Sequence, residues 1–158
     1  MGKIRLMNAK LHRIRVTETQ RDYMGSVTID GNLMEQVGIL PLQEVQIVNV
    51  TNGNRVTTYA VPGKPDSGIV CINGAAANLF RPEDIVLIFS FEELDLAEVL
   101  QYGHEAKVLI ADDNNTCQEF LVQRLIPDRG TVKFHSSTPV NAPSNWVSAD
   151  LLEALRID

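Results

Sequence analysis

Residues 45–61 read VQIVNVTNGNRVTTYAV, two β-rich runs on either side of Asn52-Gly53. Valine, isoleucine, threonine and tyrosine suit a pleated, half-buried surface, and Asn-Gly is the preferred pair for a two-residue type I′ turn, so this stretch predicts a β-hairpin. On its outgoing strand, period-two alternation sets Arg55, Thr57 and Tyr59 on one face and Val56, Thr58 and Ala60 on the other. The flanking sequence is built the same way. DGNLMEQVG (30–38) fits one short helix, with Leu33, Met34 and Val37 on one side and Gly38 as its stop. IVCI (69–72) reads as a buried strand running into NGAAANLF (73–80), a turn that opens a short helix. RPEDIVLIFSF (81–91) supplies the last expected core strand.

Two of these units echo each other: GILPLQEVQIVNV (38–50) and NLFRPEDIVLIFSF (78–91), each with a turn, an acid (Glu44, Asp84) and a β run. The echo points to a pseudo-two-fold small barrel. Short strands with no strand–helix–strand rhythm exclude a doubly wound parallel sheet.

The chain has 158 residues, 44% hydrophobic and 22% charged, enough for one soluble domain with its own core. No apolar run approaches a membrane span, and MGKIRLMNAK carries no apolar signal core, so the expected setting is cytoplasmic. Cys71 and Cys117 are too few and too far apart for a disulfide framework or zinc site and read as packing residues; no metal is expected. The net charge of −6 argues against general nucleic-acid binding. The charge is uneven, however: residues 1–26 hold six Lys/Arg against two acids, and residues 92–158 hold five against twelve. Such a basic segment either pairs with the chain's own acids or concentrates an anionic small ligand.

From Ile4 to Val16 the even positions are Ile4, Leu6, Asn8, Lys10, His12, Ile14 and Val16. In a regular strand they share one face, apolar at both ends with Lys10 and His12 in its middle. Burying those two without partners costs several kcal/mol, on the order of 2–7 per polar group. Two readings stay open: a bent strand whose faces swap midway, or a strand that aims Lys10 and His12 into a site. After Phe91 the pattern loosens. FEELDLAEVLQYG (91–103) reads as an acidic helix, and residues 106–126 as a further hairpin turning at DDNN. Residues 127–147 read as loop, and SADLLEALRID (148–158) predicts a terminal helix capped by Ser148. His104 and His135 have no evident company and read as surface residues. The chain thus divides into a unit over 1–125 and a tail over 126–158.

YMGSV (23–27) stands between two extended segments. Gly25-Ser26 is either an ordinary turn or a peptide bond meant to break. KLHR (10–13), VT (16–17), YMGSVTID (23–30), NVTNGNR (49–55), TYA (58–60) and NGAAA (73–77), in this order and spacing, resemble the pyruvoyl-dependent aspartate 1-decarboxylase family. The resemblance is close over residues 3–91 and loose over 104–123.

It implies a mainly β fold with short helices, a double-psi β-barrel, assembled as a homotetramer with sites between neighbours. It implies that Ser26 attacks the Gly25 carbonyl, that the chain is cut between them, and that Ser26 becomes a pyruvoyl group, the covalent cofactor. That ketone captures the amine of L-aspartate and accepts the electrons released as CO₂ departs, leaving β-alanine for pantothenate biosynthesis. By the same resemblance Tyr59 is the proton donor and Lys10 and Arg55 hold the dianionic substrate. Gly74, Ala75 and Ala76 offer it backbone, Thr58 serves processing and substrate contact, and His12 and Asn73 support. Arg21, Met24, Asn78 and the tail beyond about residue 125 depart from the family pattern. Two alternatives remain at this stage: a pyruvoyl decarboxylase of another amino acid such as glutamate, and an uncut barrel acting as a binding or scaffold module. A maturation factor is likewise left open.

Overall fold

The computed structural model describes residues 2–137. In chain order the elements are β1 (Lys3–Arg15), β2 (Glu18–Gln20), β3 (Ser26–Asp30), α1 (Gly31–Val37), β4 (Glu44–Asn49), β5 (Arg55–Gly63) and β6 (Val70–Asn73). A short 3-10 helix (Gly74–Leu79) follows, then β7 (Ile85–Asp95), α2 (Leu96–Tyr102), β8 (His104–Ala111), β9 (Cys117–Asp128) and β10 (Thr131–Ser136). The protein is mainly β with few short helices, the class expected from its sequence, and its strand order, β10-β9-β8-β1-β7-β4-β5-β3-β6-β2, is consistent with a small barrel. Three neighbouring pairs run parallel, β1/β8, β2/β6 and β3/β5.

One cross-strand row shows how the core is laid. Leu11 lies opposite Ile88, Ile88 opposite Ile47, and Ile47 opposite Val56, the first three wholly buried. Each such side chain contributes about 1.5–3 kcal/mol relative to exposure. The core does not stop at β7, as the sequence suggested. Leu109 of β8 and Phe120 of β9 are also fully buried.

The two sequence echoes are structural equivalents. Each opens on a proline followed by a residue of positive φ, Pro41-Leu42 (φ 70°) and Pro82-Glu83 (φ 78°), closed by a backbone bond of 3.1 Å from Gln43 N to Leu40 O and from Asp84 N to Arg81 O. The Gln43 and Asp84 side chains return the bond, each accepting at 2.9 Å from the N–H of Leu40 or Arg81. The partner of Asp84 in the repeat is therefore Gln43, one residue before the acid the sequence suggested. Strands β4 and β7 then lie side by side, Gln46 opposite Phe89.

The hairpin and α1 form where expected; α1 ends on Gly38 in the left-handed region (φ 82°). The hairpin turn differs. Only Gly53 takes positive φ (78°), and its N–H bonds the Asn49 carbonyl at 2.8 Å, so the loop is longer than a type I′ pair. Asn49 is the cause: fully buried, it donates to Asp84 at 2.7 Å and accepts from Thr51 N at 2.9 Å, and those bonds set the turn.

Strand β1 swaps faces. Ala9 and Leu11 point to the core, then Ile14 and Val16, with pairing irregularities between Met7 and Ala9 and between Leu11 and Ile14. Arg13 at φ 60° carries the second bulge. The bent-strand reading is therefore the observed one, and Lys10 and His12 lie half-buried on the side away from Leu11.

Three further expectations are corrected. The first part of 91–103 extends β7, because Met7 to Lys3 of β1 continue to pair with it through Asp95; only Leu96–Tyr102 is helical. Residues 127–136, expected as loop, carry β9 onward and form β10, with Val132 opposite Pro127. His104 is not a surface residue. Its ring Nε2 is 2.7 Å from the Met7 carbonyl, and its Nδ1 is 3.4 Å from Glu92. The expected terminal helix lies outside the described residues.

Candidate active site

Ser26 opens β3 and is 3% exposed, whereas residues 21–25 before it are exposed, with Tyr23 and Met24 turned outward. An exposed approach thus ends on a buried serine. Directly opposite Ser26 on the antiparallel neighbour is Asn73, and opposite Thr28 is Cys71. Val27, Ile29, Ile72 and Val70 face the core, so alternation gathers Ser26, Thr28, Cys71 and Asn73 on the other face.

These four side chains form one chain of hydrogen bonds. The Asn73 Nδ2 donates to Ser26 Oγ and to Thr28 Oγ1, both at 3.0 Å, and the Cys71 thiol donates to Asn73 Oδ1 at 3.2 Å. The Ser26 hydroxyl in turn donates to the Met24 carbonyl at 3.4 Å. Burial pushes the Cys71 thiol up in pKa, with the Glu18 carboxylate adding to the shift, so sulfur keeps its proton. Cys71 and Thr28 escaped sequence reasoning. The signal was present, since period two counted back from Asn73 reaches Cys71.

Gly74 follows with φ 75°, a conformation that strongly favours glycine. It packs on the Gly25 backbone: a β-carbon there would stand 2.6 Å from Gly25 Cα and 2.9 Å from Gly25 N. The 3-10 helix then presents Ala75 exposed and Ala76 half-buried. A cavity of about 510 Å³ opens beside the junction, lined by residues 19–23 with Ala77 and Asn78. Arg21 and Asn78, two of the departures from the family pattern, both lie on it.

Strand β5 runs parallel to β3 with Val27 opposite Ala60. Carried one residue back, that register sets Tyr59 level with Ser26. Tyr59 shares the Ser26 face; Thr58 lies on the other.

Arg55 is four residues up the strand, about 13 Å from Tyr59. It donates to Gln46 Oε1 at 3.1 Å, and its guanidinium stands over the Phe89 ring, 6.0 Å from the centroid. Lys10 pairs with the same Phe89 from the β1 side. Lys10 and Arg55 therefore share the outer face of the sheet, displaced along it from Ser26. His12 lies beyond Lys10, its pKa lowered first by burial and then by the Lys10 and Arg13 charges.

Three other cations of the amino-terminal strand are matched by acids: Lys3 with Glu93, Arg5 with Glu44, and Arg15 with Glu83 and Asp113. Among the described residues no carboxylate stands within ion-pair distance of Lys10 or Arg55. Nor does any group of three or more His, Cys, Asp or Glu have metal-holding geometry among them.

A family model described as "Aspartate decarboxylase" matches residues 2–118 of this chain, so most of β9 and all of β10 lie beyond the matched span. The aspartate 1-decarboxylase of Crocosphaera subtropica is 52% identical over 143 residues, 89% of this chain and 95% of the relative. That of Gloeothece citriformis is 56% identical over 138 residues, 86% and 88% of the two chains. The Bacillus subtilis enzyme is 46% identical over 116 residues, 73% and 90%.

Proposed function

This chain belongs to the aspartate decarboxylase family, and from that premise we propose a role for each residue of the site. The protein is a carboxy-lyase that converts L-aspartate to β-alanine and CO₂, using a pyruvoyl group made from a serine of its own chain. The serine is Ser26 and the cut falls after Gly25.

Self-cleavage needs a nucleophile at a glycine carbonyl and a backbone pressed into place. Ser26 Oγ bonds to the Gly25 carbonyl carbon, the Gly25–Ser26 C–N bond breaks, and the hydroxyl proton passes to the freed nitrogen. Loss of the Ser26 α-proton then expels Gly25 as a carboxylate, and water replaces the nitrogen, released as ammonia, to leave a ketone. The residues fit this product. Asn73 holds the reacting oxygen, and Gly74 supplies a cradle that any β-carbon would fill. Thr58, next to Tyr59 on the neighbouring strand, is the donor for the oxygen that becomes anionic during attack.

Once formed, the ketone carbonyl supplies the electron sink for loss of the α-carboxylate. Arg55 binds a substrate carboxylate through its planar fork, held by Gln46 and Phe89, and Lys10 adds a second cation for the dianion. Tyr59, level with Ser26, returns a proton to the former α-carbon. The backbone N–H groups of Ala75 and Ala76 border the substrate, with Gly74 completing the turn. His12 acts behind Lys10, its low pKa keeping further positive charge out of the group.

The separation within one chain supports a homotetramer with sites between neighbours. Arg55 and Lys10 then meet the Ser26 of an adjoining copy, since about 13 Å of strand parts Arg55 from its own Tyr59. Catalysis is assigned to residues 1–125, with 126–158 outside the site. A maturation factor would act on the exposed 21–25 segment. Among the described residues no helix is long and apolar enough to cross a membrane; a cytoplasmic setting suits the free thiols of Cys71 and Cys117.

The observation that carries the reading is the buried Ser26 bonded to Asn73 beside the Gly25–Gly74 contact. Denaturing mass spectrometry tests it. The expected result is residues 1–25 plus a fragment starting at 26 with a blocked end, and CO₂ from L-aspartate, both lost in Ser26→Ala. A single intact chain that still releases CO₂ would overturn it.

A further inference from the structure

We propose that Cys71 is a positioning residue for self-cleavage: its thiol selects which end of the Asn73 amide faces Ser26. The inference rests on the reading of Ser26 as the residue at the cut.

An asparagine amide has two chemically different ends, and only one arrangement suits each neighbour. The hydroxyls of Ser26 and Thr28 cannot choose between them, because a hydroxyl both donates and accepts. A thiol leans to one of them, because its S–H donates whereas divalent sulfur accepts a hydrogen bond only weakly. Cys71 sits two residues before Asn73 on the same face of β6, 3% exposed, and its Sγ donates to Oδ1 at 3.2 Å. That leaves both Nδ2 hydrogens for the two hydroxyls, at 3.0 Å each. Burial, with Glu18 behind it, keeps the thiol protonated and therefore a donor.

The consequence falls on the reacting oxygen. With an amide N–H on Ser26 Oγ, the hydroxyl hydrogen is turned to the Met24 carbonyl at 3.4 Å, and a lone pair remains to meet the Gly25 carbonyl carbon. As the C–O bond forms and the C–N bond breaks, that N–H steadies the oxygen while its proton moves to the departing nitrogen. With the amide reversed, Oδ1 would instead hold the Ser26 hydroxyl hydrogen and turn the lone pair elsewhere. A cysteine at this place thus does more than fill space.

The test is the first-order rate of appearance of residues 1–25, followed by intact mass over a timed incubation of rapidly purified full-length precursor. Cys71→Val keeps the packing and removes the donor; Cys71→Ser keeps a donor; Cys71→Ala removes both. The expected result is at least a tenfold slower cut in Cys71→Val and Cys71→Ala, with Cys71→Ser between these and the wild type because its hydroxyl donates but also accepts, and no parallel ranking of melting temperatures. The proposal is overturned if Cys71→Val cuts at the wild-type rate, or if Cys71→Ser is as slow as Cys71→Val. Should Cys71→Val not fold, the Ala and Ser variants decide by the same criterion. A wild-type chain that never yields the 1–25 fragment refutes the Ser26 reading itself, a result distinct from all of these.

Discussion

Gly74 and Gly25 touch backbone to backbone, so closely that a β-carbon on Gly74 would stand 2.6 Å from the Gly25 α-carbon. The contact joins the strand that carries Asn73 to the peptide bond proposed to break. It holds that bond against β6, whose Asn73 also holds the Ser26 hydroxyl. Gly74→Ala puts a methyl group there and forces a side chain into φ 75°. The expected outcome is a folded but poorly cut precursor, its cleavage slowed more than about tenfold (~1.4 kcal/mol), measured by intact mass over time. Wild-type cutting in this variant would remove the contact from the mechanism.

Arg55 has an aromatic ring beneath it and an amide acceptor beside it, an arrangement that fixes the plane of its fork. Arg55→Lys keeps the charge and loses the fork, so cutting at Gly25 proceeds while kcat/KM for L-aspartate falls about 10- to 100-fold, on the order of 1.4–2.8 kcal/mol. Gln46→Leu produces a smaller rise in KM with kcat little changed. Steady-state kinetics on fully cut protein checks both.

If neighbouring copies complete each site, defects in different copies can complement. Ser26→Ala and Arg55→Ala protomers, each inactive alone, are expected to regain activity when co-expressed, to roughly a quarter of the wild-type sites in a random mixture. No recovery in purified mixed assemblies would place Arg55 and Ser26 of one site on the same chain.

His12 carries a pH dependence of defined sign. Burial and the Lys10 and Arg13 charges lower its pKa from 6.5, so the unfolded chain takes up a proton more readily than the folded one. The folded state therefore loses stability as the pH falls below that ordinary value, and keeps it above. Denaturant midpoints measured from about pH 5 to 8 should fall toward acid less steeply in His12→Gln than in the wild type.

Asp30 is 3% exposed and caps α1, its carboxylate accepting from the N–H groups of Asn32 at 2.9 Å, Asp66 at 3.0 Å and Gly68 at 2.8 Å. Asp30→Ala strands those donors and is expected to cost about 3 kcal/mol, read from urea unfolding. Asp30→Asn retains an acceptor and should cost less.

Where a feature depended on neighbours in the chain, it was legible. Helix α1 follows from the spacing of Leu33, Met34 and Val37 and from Gly38, and the hairpin from two β runs around Asn52-Gly53. The faces of β5 came from alternation alone. Features that depended on distant partners were not legible. Nothing local to Lys10 tells how β1 is bulged against β7, and that bulge decides its face. His104 looked solitary because its partners, Met7 and Glu92, come from other strands. The type I′ expectation failed for the same reason: Asn49 answers to Asp84, thirty-five residues away.

By itself, then, the order of residues determined the β class, the short helices and the set of chemically able side chains, because propensity, alternation and turn chemistry act over a few positions. Only the tertiary structure decided which of them share a site. It brought Ser26, Asn73 and Cys71 into one buried hydrogen-bonded group and left Lys10 and Arg55 at a distance along the sheet. The physical reason is that strand register and bulges are settled by the fit of whole hydrophobic rows, such as Leu11, Ile88 and Ile47, whose members are far apart in the chain.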